Sequence, residues 1–229
     1  MIISHKHAFI FIKVRKTAST SVEVALSNFC GPDDVLTPLR DRDEQLRREL
    51  GYRGAQNYYV PLSQYSLLDT FRSIYNRERL HFFHHCSAQF IKEHVDDRIW
   101  NSYYTFCFER NPWDKFISLY EYQTLEQGVD LPPLNQFVHT QTAGTFTDFE
   151  LYSIDNKICV DEVFLYEELD DAIDTIRDRL GLPEAIQLPR TKHTIRQSSH
   201  NYREVLSPEA RDEIAKMYAR EIAHFGYEW

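Results

Sequence analysis

The chain has 229 residues, 42% of them hydrophobic and 27% charged, which is the composition of a soluble globular protein and the length of one domain with a full core. Its net charge of −9 excludes a general nucleic-acid binder, which needs an excess of Lys and Arg to displace counterions. No stretch approaches the roughly 20 apolar residues of a membrane span, and the first apolar run has the wrong flanks for a signal peptide. The expectation is a cytoplasmic chain forming a single domain over 1–229, with no membrane span and no nucleic-acid partner. Cys30, Cys86, Cys107 and Cys159 form no C-x-x-C pair and read as reduced thiols, not as a disulfide framework or zinc site.

In chain order, the apolar run Ala8–Ile12 predicts a buried strand. It stops at Arg15-Lys16, and five small residues follow: Thr17, Ala18, Ser19, Thr20 and Ser21. Helical spacing begins at Val22, with Ala25 and Leu26 on the same face. Such a strand–loop–helix aims backbone N–H groups and a helix N-terminus at one point, which suits a phosphate, and Lys16 adds a mobile charge. The nucleoside-triphosphate pattern G-x-x-x-x-G-K-[ST] is absent: no glycine precedes Gly31, and the lysine comes before the small residues.

Residues 31–62 are polar and read as loop with a short helix. Ser63 to Leu80 has helical spacing through Tyr65, Leu68, Phe71 and Tyr75, and Ser87 can cap a helix carrying Phe90, Ile91 and Val95. Tyr103 to Phe108 reads as a buried strand. Asn111-Pro112-Trp113-Asp114 then supplies an N-cap, a proline at the first helical position and an acid in the first turn. Ile158 to Tyr166 reads as a strand, and Leu169 to Leu180 as an amphipathic helix closed by Gly181. Ser207-Pro208 opens a last helix running through Ile214, Met217, Tyr218 and Ile222 to Gly226. The alternation predicts an α/β fold: three P-loop-like layers, with a central, mainly parallel sheet flanked by helices.

A second anion motif lies at 104–120. Arg110 sits between strand and helix, and Ser118, seven residues after the cap Asn111, returns to nearly the same helix face. A guanidinium fork beside a hydroxyl makes a phosphate clamp, and equally an arginine paired with a core carboxylate. Two such sites on successive strand–helix junctions fit a nucleotide with 5′- and 3′-phosphates.

Lys16–Ser21 resembles the 5′-phosphosulfate loop of the sulfotransferases, and Arg110-Asn111-Pro112 with Ser118 resembles their 3′-phosphate motif. Phe164–Leu169 resembles their strand-end segment, whose tyrosine lies near the adenine. The ending YAREIAHFGYEW resembles the terminal helix of the carbohydrate-type, heparan 2-O-sulfotransferase-like branch, in a compact form common among bacterial members. The resemblance spans nearly the whole chain. It implies 3′-phosphoadenosine 5′-phosphosulfate (PAPS) as donor, no metal, and a small-molecule or oligosaccharide acceptor.

By the same resemblance Arg15, Lys16, Thr17, Ala18, Ser19, Thr20, Ser21, Arg110, Ser118, Tyr166 and Arg196 contact the nucleotide, with Lys192 in the same loop as Arg196. Arg15 stands where many relatives have proline. Lys16 would stabilise charge growing on the leaving phosphate. In HFFHHCSA, His85 best matches the family's base, with His84 as the neighbouring alternative and Glu23 and Glu109 as weaker ones. Lys13 faces either the acceptor or solvent. Tyr122, Gln123, His139, Gln141 and Tyr152 are of types that line sugar sites. The rival readings are a P-loop-like kinase using ATP and magnesium, and a non-catalytic nucleotide-binding module.

Overall fold

A computed structural model describes residues 1–140, 147–189 and 201–229. Its strands are β1 (Ile2–Ser4), β2 (Phe9–Phe11), β3 (Val35–Leu36), β4 (Tyr104–Glu109), β5 (Ser153–Ile154), β6 (Lys157–Ile158) and β7 (Glu162–Leu165). Its helices are α1 (Ser19–Ser27), α2 (Asp41–Glu49), α3 (Leu67–Asn76), α4 (Ala88–His94), α5 (Asp97–Ser102), α6 (Pro112–Glu121), α7 (Leu134–Thr140), α8 (Leu169–Arg179), α9 (Tyr202–Val205), α10 (Pro208–Met217) and α11 (Ala219–Phe225).

The main sheet has the order β3-β1-β2-β4-β7. β2, β4 and β7 are parallel neighbours, while β1 runs antiparallel to both β2 and β3. Four of the five strands therefore share one direction, and β1 is the exception that sequence patterning did not show.

Side chains alternate across this sheet with the period of two that extended backbone imposes. Phe9, Phe11, Phe106, Phe108 and Phe164 point to one face and pack against α1 (Val22, Ala25, Leu26) and α8 (Ala172, Ile173, Ile176). Ile10, Ile12 and Cys107 point to the other, against Ala88 and Ile91 of α4 and against Phe149 and Tyr152. Burial on both faces explains why β2 and β4 read as continuous apolar runs. A third cluster joins α6, α7 and α10 through Trp113, Phe116, Phe137 and Ile214.

Two expected elements come out divided. The strand expected over Ile158–Tyr166 is split: β6 turns back on β5 through Asp155-Asn156, both in the left-handed region, and only β7 enters the main sheet. The last helix breaks at Tyr218 (φ −105°, ψ 27°) into α10 and α11. All four cysteines are free thiols. No helix among the described residues is long and apolar enough to cross a membrane.

Candidate active site

The three parallel strands end side by side, and their carboxyl ends carry the motifs. β2 leads into the Lys16 loop and α1, β4 into Arg110 and α6, and β7 into Tyr166. The carboxyl edge of parallel strands is where open α/β sheets bind ligands.

The first loop turns without glycine. Lys16 (φ 62°) and Ala18 (φ 55°) both adopt the left-handed conformation, a strain of roughly 1 kcal/mol each that sites of function commonly hold. The Thr17 and Ser19 hydroxyls donate to the Val14 carbonyl at 3.2 and 2.6 Å, so their side chains fix the loop's shape. Ala18 is the N-cap of α1 and has no side chain able to accept from the first-turn N–H groups. Ser66, Ser87, Asp96 and Asn111 close the starts of α3, α4, α5 and α6 in that way. The N-terminal turn of α1, which begins at Ser19, thus starts without a side-chain cap, as a helix start that receives an anion does.

Arg110 joins this loop to the second motif. Its Nη1 donates to the Lys16 carbonyl at 3.0 Å. Nε donates to Asp114 Oδ2 at 2.8 Å, and Nη2 reaches the same oxygen. The guanidinium lies 4.2 Å from the centre of the Tyr166 ring. Asn111 caps α6 through its side chain, and its own N–H donates to Glu167 Oε1 at 2.7 Å, tying β4 to the end of β7. Asp114 and Ser118 follow Arg110 at four-residue steps along one face of α6, and Ser118 is half-buried. The structure thus gives Arg110 a carboxylate partner, Asp114, and also the contact to the Lys16 loop.

Lys16 Nζ lies 4.5 Å from the centre of the Tyr122 ring, and Arg40 packs 5.0 Å from the same ring. Tyr122 begins a single π-helical turn, Tyr122–Glu126, of the kind that recurs at functional sites. Burial, then the neighbouring Arg110 charge, lowers the Lys16 ammonium from 10.5 to about 8.

His85 stands at the end of β2. Its Nδ1 lies 2.8 Å from the Lys13 carbonyl, and since a carbonyl only accepts, Nδ1 carries the proton and Nε2 the lone pair. Burial is the main cause that pushes His85 down to about 4, so the ring is neutral at pH 7. His84, edge-on to His85 at 5.2 Å, instead meets the Pro38 carbonyl at 3.3 Å.

The two alternative glutamate bases are occupied. Glu23 is fully buried against the Met1 amino group (2.8 Å), Lys13 Nζ (2.9 Å) and Arg47 (3.3 Å). Burial alone would raise its carboxyl, but these cations more than offset it and hold it well below the usual range. Glu109 accepts from Lys115 Nζ at 2.6 Å, Tyr152 OH at 2.8 Å and the Arg110 N–H at 2.9 Å. Lys13 is therefore a buried ion-pair partner and faces neither solvent nor an open acceptor site.

Arg15 is paired within the protein. Its Nε donates to Asp148 Oδ1 at 2.5 Å, its backbone N–H to Oδ2 at 3.2 Å, and Nη2 to the Thr147 carbonyl at 3.1 Å. Lys115 also meets Asp148 at 3.1 Å, extending the pair into a chain of charges whose inner members, Asp148 and Lys115, are buried. Arg15 thus braces the loop by tying it to Asp148 and Thr147. Tyr152 is likewise fully buried on Glu109 and lines no open surface. Lys192, Arg196 and Gln141 lie outside the described residues. Among the described residues no group of three or more His, Cys, Asp or Glu could hold a metal.

Sequence spacing missed three participants. Asp114 was legible only as a favourable first-turn charge, although its i+4 spacing from Arg110 is the available signal. Asp148 and Arg40 are brought in by tertiary packing and left no local trace.

The family model described as Sulfotransferase family matches residues 1–228. The chain belongs to the sulfotransferase family. A relative of this sulfotransferase, an uncharacterized protein of Archaeoglobus fulgidus, is 29% identical over 123 residues, which are 52% of this chain and 98% of the relative. Mouse sulfotransferase SULT7A1, solved in complex with PAP, aligns with a TM-score of 0.53 at 11% identity over 96% of this chain and 86% of that one, a likeness of fold.

Proposed function

We propose that this sulfotransferase moves a sulfuryl group from PAPS to an acceptor hydroxyl, on a small saccharide or an oligosaccharide, within one catalytic domain spanning 1–229 of a cytoplasmic protein. The observation that supports the reading is the 3.0 Å bond from Arg110 to the Lys16 carbonyl, which joins the loops at two adjacent strand ends. A nucleoside 3′,5′-bisphosphate carries its charge on two separate phosphates, one for each junction, whereas a nucleoside triphosphate carries its charge in one chain. The mouse neighbour was solved with PAP, which is adenosine 3′,5′-bisphosphate, the desulfonated form of this donor.

The residues present fit the donor. The uncapped amides of α1 and the Lys16 ammonium receive the 5′-phosphosulfate. Arg110 and Ser118 receive the 3′-phosphate, with Arg196 as a further cation. Tyr166, already under Arg110, packs on the adenine. In the transfer the acceptor oxygen bonds to sulfur as the bond from sulfur to the 5′-phosphate oxygen breaks. The departing electron pair goes to the phosphate, where Lys16 and fixed amides stabilise it without reorganising. The hydroxyl proton passes to His85 Nε2, the one ring nitrogen that the Lys13 carbonyl leaves as acceptor.

The test is transfer of labelled sulfuryl from PAPS into a mixture of oligosaccharides with excess EDTA. Labelled, metal-independent product is expected. Loss of transfer to EDTA, with phosphate transfer from ATP restored by magnesium, would overturn the reading in favour of a kinase.

A further inference from the structure

The segment after Ser63 has strong helical spacing, and its product, α3, is inside out. Around the axis Leu67, Leu68, Phe71, Ile74 and Tyr75 fill an arc of about 120°, given 100° per residue. Asp69 and Ser73 lie on the opposite side. In a surface helix the apolar arc normally faces the core. Here Asp69 and Ser73 are the half-buried positions, while Leu67 is 84% exposed, Leu68 57%, Phe71 73%, Ile74 72% and Tyr75 88%.

Poor local encoding does not explain this. Ser66 and Asp69 form a reciprocal capping box, Arg77 ends the helix in the left-handed conformation (φ 56°), and Asp69 also meets His94 Nε2 at 3.3 Å. The helix is well capped at both ends and pinned to the body by its polar side.

We infer that the apolar face of α3 is the contact through which two copies of this chain associate, helix against helix about a two-fold axis. The five exposed residues present roughly 700 Å², more than the few hundred Å² of the largest patch on a typical monomer. That is close to the roughly 800 Å² each partner buries in a standard interface. A two-fold contact needs a self-complementary patch, and a straight stripe of Leu, Phe, Ile and Tyr packs on its own copy. The midpoint of Leu67–Asn76 falls beside Phe71, so the axis passes there and the two Phe71 rings meet. An anionic membrane is the poorer partner, because the chain's net charge of −9 opposes it.

The test is the solution mass by analytical ultracentrifugation at micromolar concentration, for the full chain and for a Phe71→Glu/Ile74→Glu variant. Because both side chains face water in one copy, the variant keeps its far-UV spectrum and its nucleotide binding. The wild type should have the mass of two chains, and the variant that of one, with the dissociation constant weakened about 100-fold or more. Oxidation of Phe71→Cys provides a readout independent of variant folding. Cys30, Cys86 and Cys107 are buried and Cys159 is partly so, which makes this the one fully exposed thiol among the described residues, and it should link two chains. A wild type with the mass of one chain, a variant that stays paired, a Phe71→Cys protein that does not cross-link, or single chains binding anionic vesicles through this face would each overturn the proposal.

Discussion

Lys16 offers a sharp perturbation, because its position sets the pH at which its charge is lost. Burial and the Arg110 guanidinium bring the ammonium from 10.5 to about 8. A shift of that size is worth about 3 kcal/mol between the two protonation states. The charged form, which in the proposed transfer stabilises the leaving phosphate, is complete below pH 7 and is lost as pH rises through 8. At pH 9 about one Lys16 in ten stays charged, so kcat/KM should fall to about a tenth of its plateau. Lys16→Arg keeps a cation there at every accessible pH, since guanidinium titrates above about 12. Its plateau should be lower, because a planar fork replaces a compact ammonium, but it should show no decline between pH 7.5 and 9.5. The assay is release of adenosine 3′,5′-bisphosphate from PAPS across that range, with identical acceptor mixtures. An alkaline decline of the same midpoint in Lys16→Arg would show that another group titrates, and the role given to Lys16 would be wrong.

Three further outcomes follow from other residues. Arg110→Ala should weaken adenosine 3′,5′-bisphosphate by about 1.5–3 kcal/mol more than adenosine 5′-phosphate in calorimetry, since only the former has the 3′-phosphate; equal weakening would deny Arg110 that contact. His85, neutral down to about 4, should place the acidic limb of kcat/KM well below the ordinary histidine range. His85→Ala should lose about 10²-fold in rate and lose that limb, and near-normal activity would move the base to His84. Glu221 is fully buried, and neither of its carboxyl oxygens has a hydrogen-bond partner among the described residues. Burial raises it from 4.5 to about 7, so the native state holds a proton that the unfolded chain releases, and stability falls as pH rises from 4.5 to 7. Glu221→Gln should match the wild type near pH 5 and exceed it by about 3 kcal/mol above pH 7 in urea unfolding, and a pH-independent difference would refute this origin.

Where a segment's fate was set by its own residues, the sequence was a good guide. The apolar run around Ile10, the caps Ser87 and Asn111, the Pro112 at N1 and the Gly181 stop all became the expected elements. Three-residue β1 was not legible, because so short a run carries no periodicity and is stabilised by its neighbours on both sides. The helix over α3 was legible and its orientation was not: spacing shows that an apolar face exists, not what covers it. The Lys16 loop and Arg110 were recognisable by residue type, yet their 3.0 Å junction spans 94 residues of chain. Arg15 shows the same limit, since its partner Asp148 lies 133 residues away and left no local trace.

The donor is the centre of this account, and binding of adenosine 3′,5′-bisphosphate set against ATP tests it most directly. Titration calorimetry with each ligand, the ATP arm with and without magnesium, needs neither a known acceptor nor turnover. In the proposed site Arg110, which bonds the Lys16 loop, would give the bisphosphate a charge-assisted contact that ATP lacks, so the bisphosphate should bind about tenfold to a hundredfold tighter, with no effect of magnesium. Tighter binding of ATP, strengthened by magnesium, would contradict the assignment of PAPS as donor.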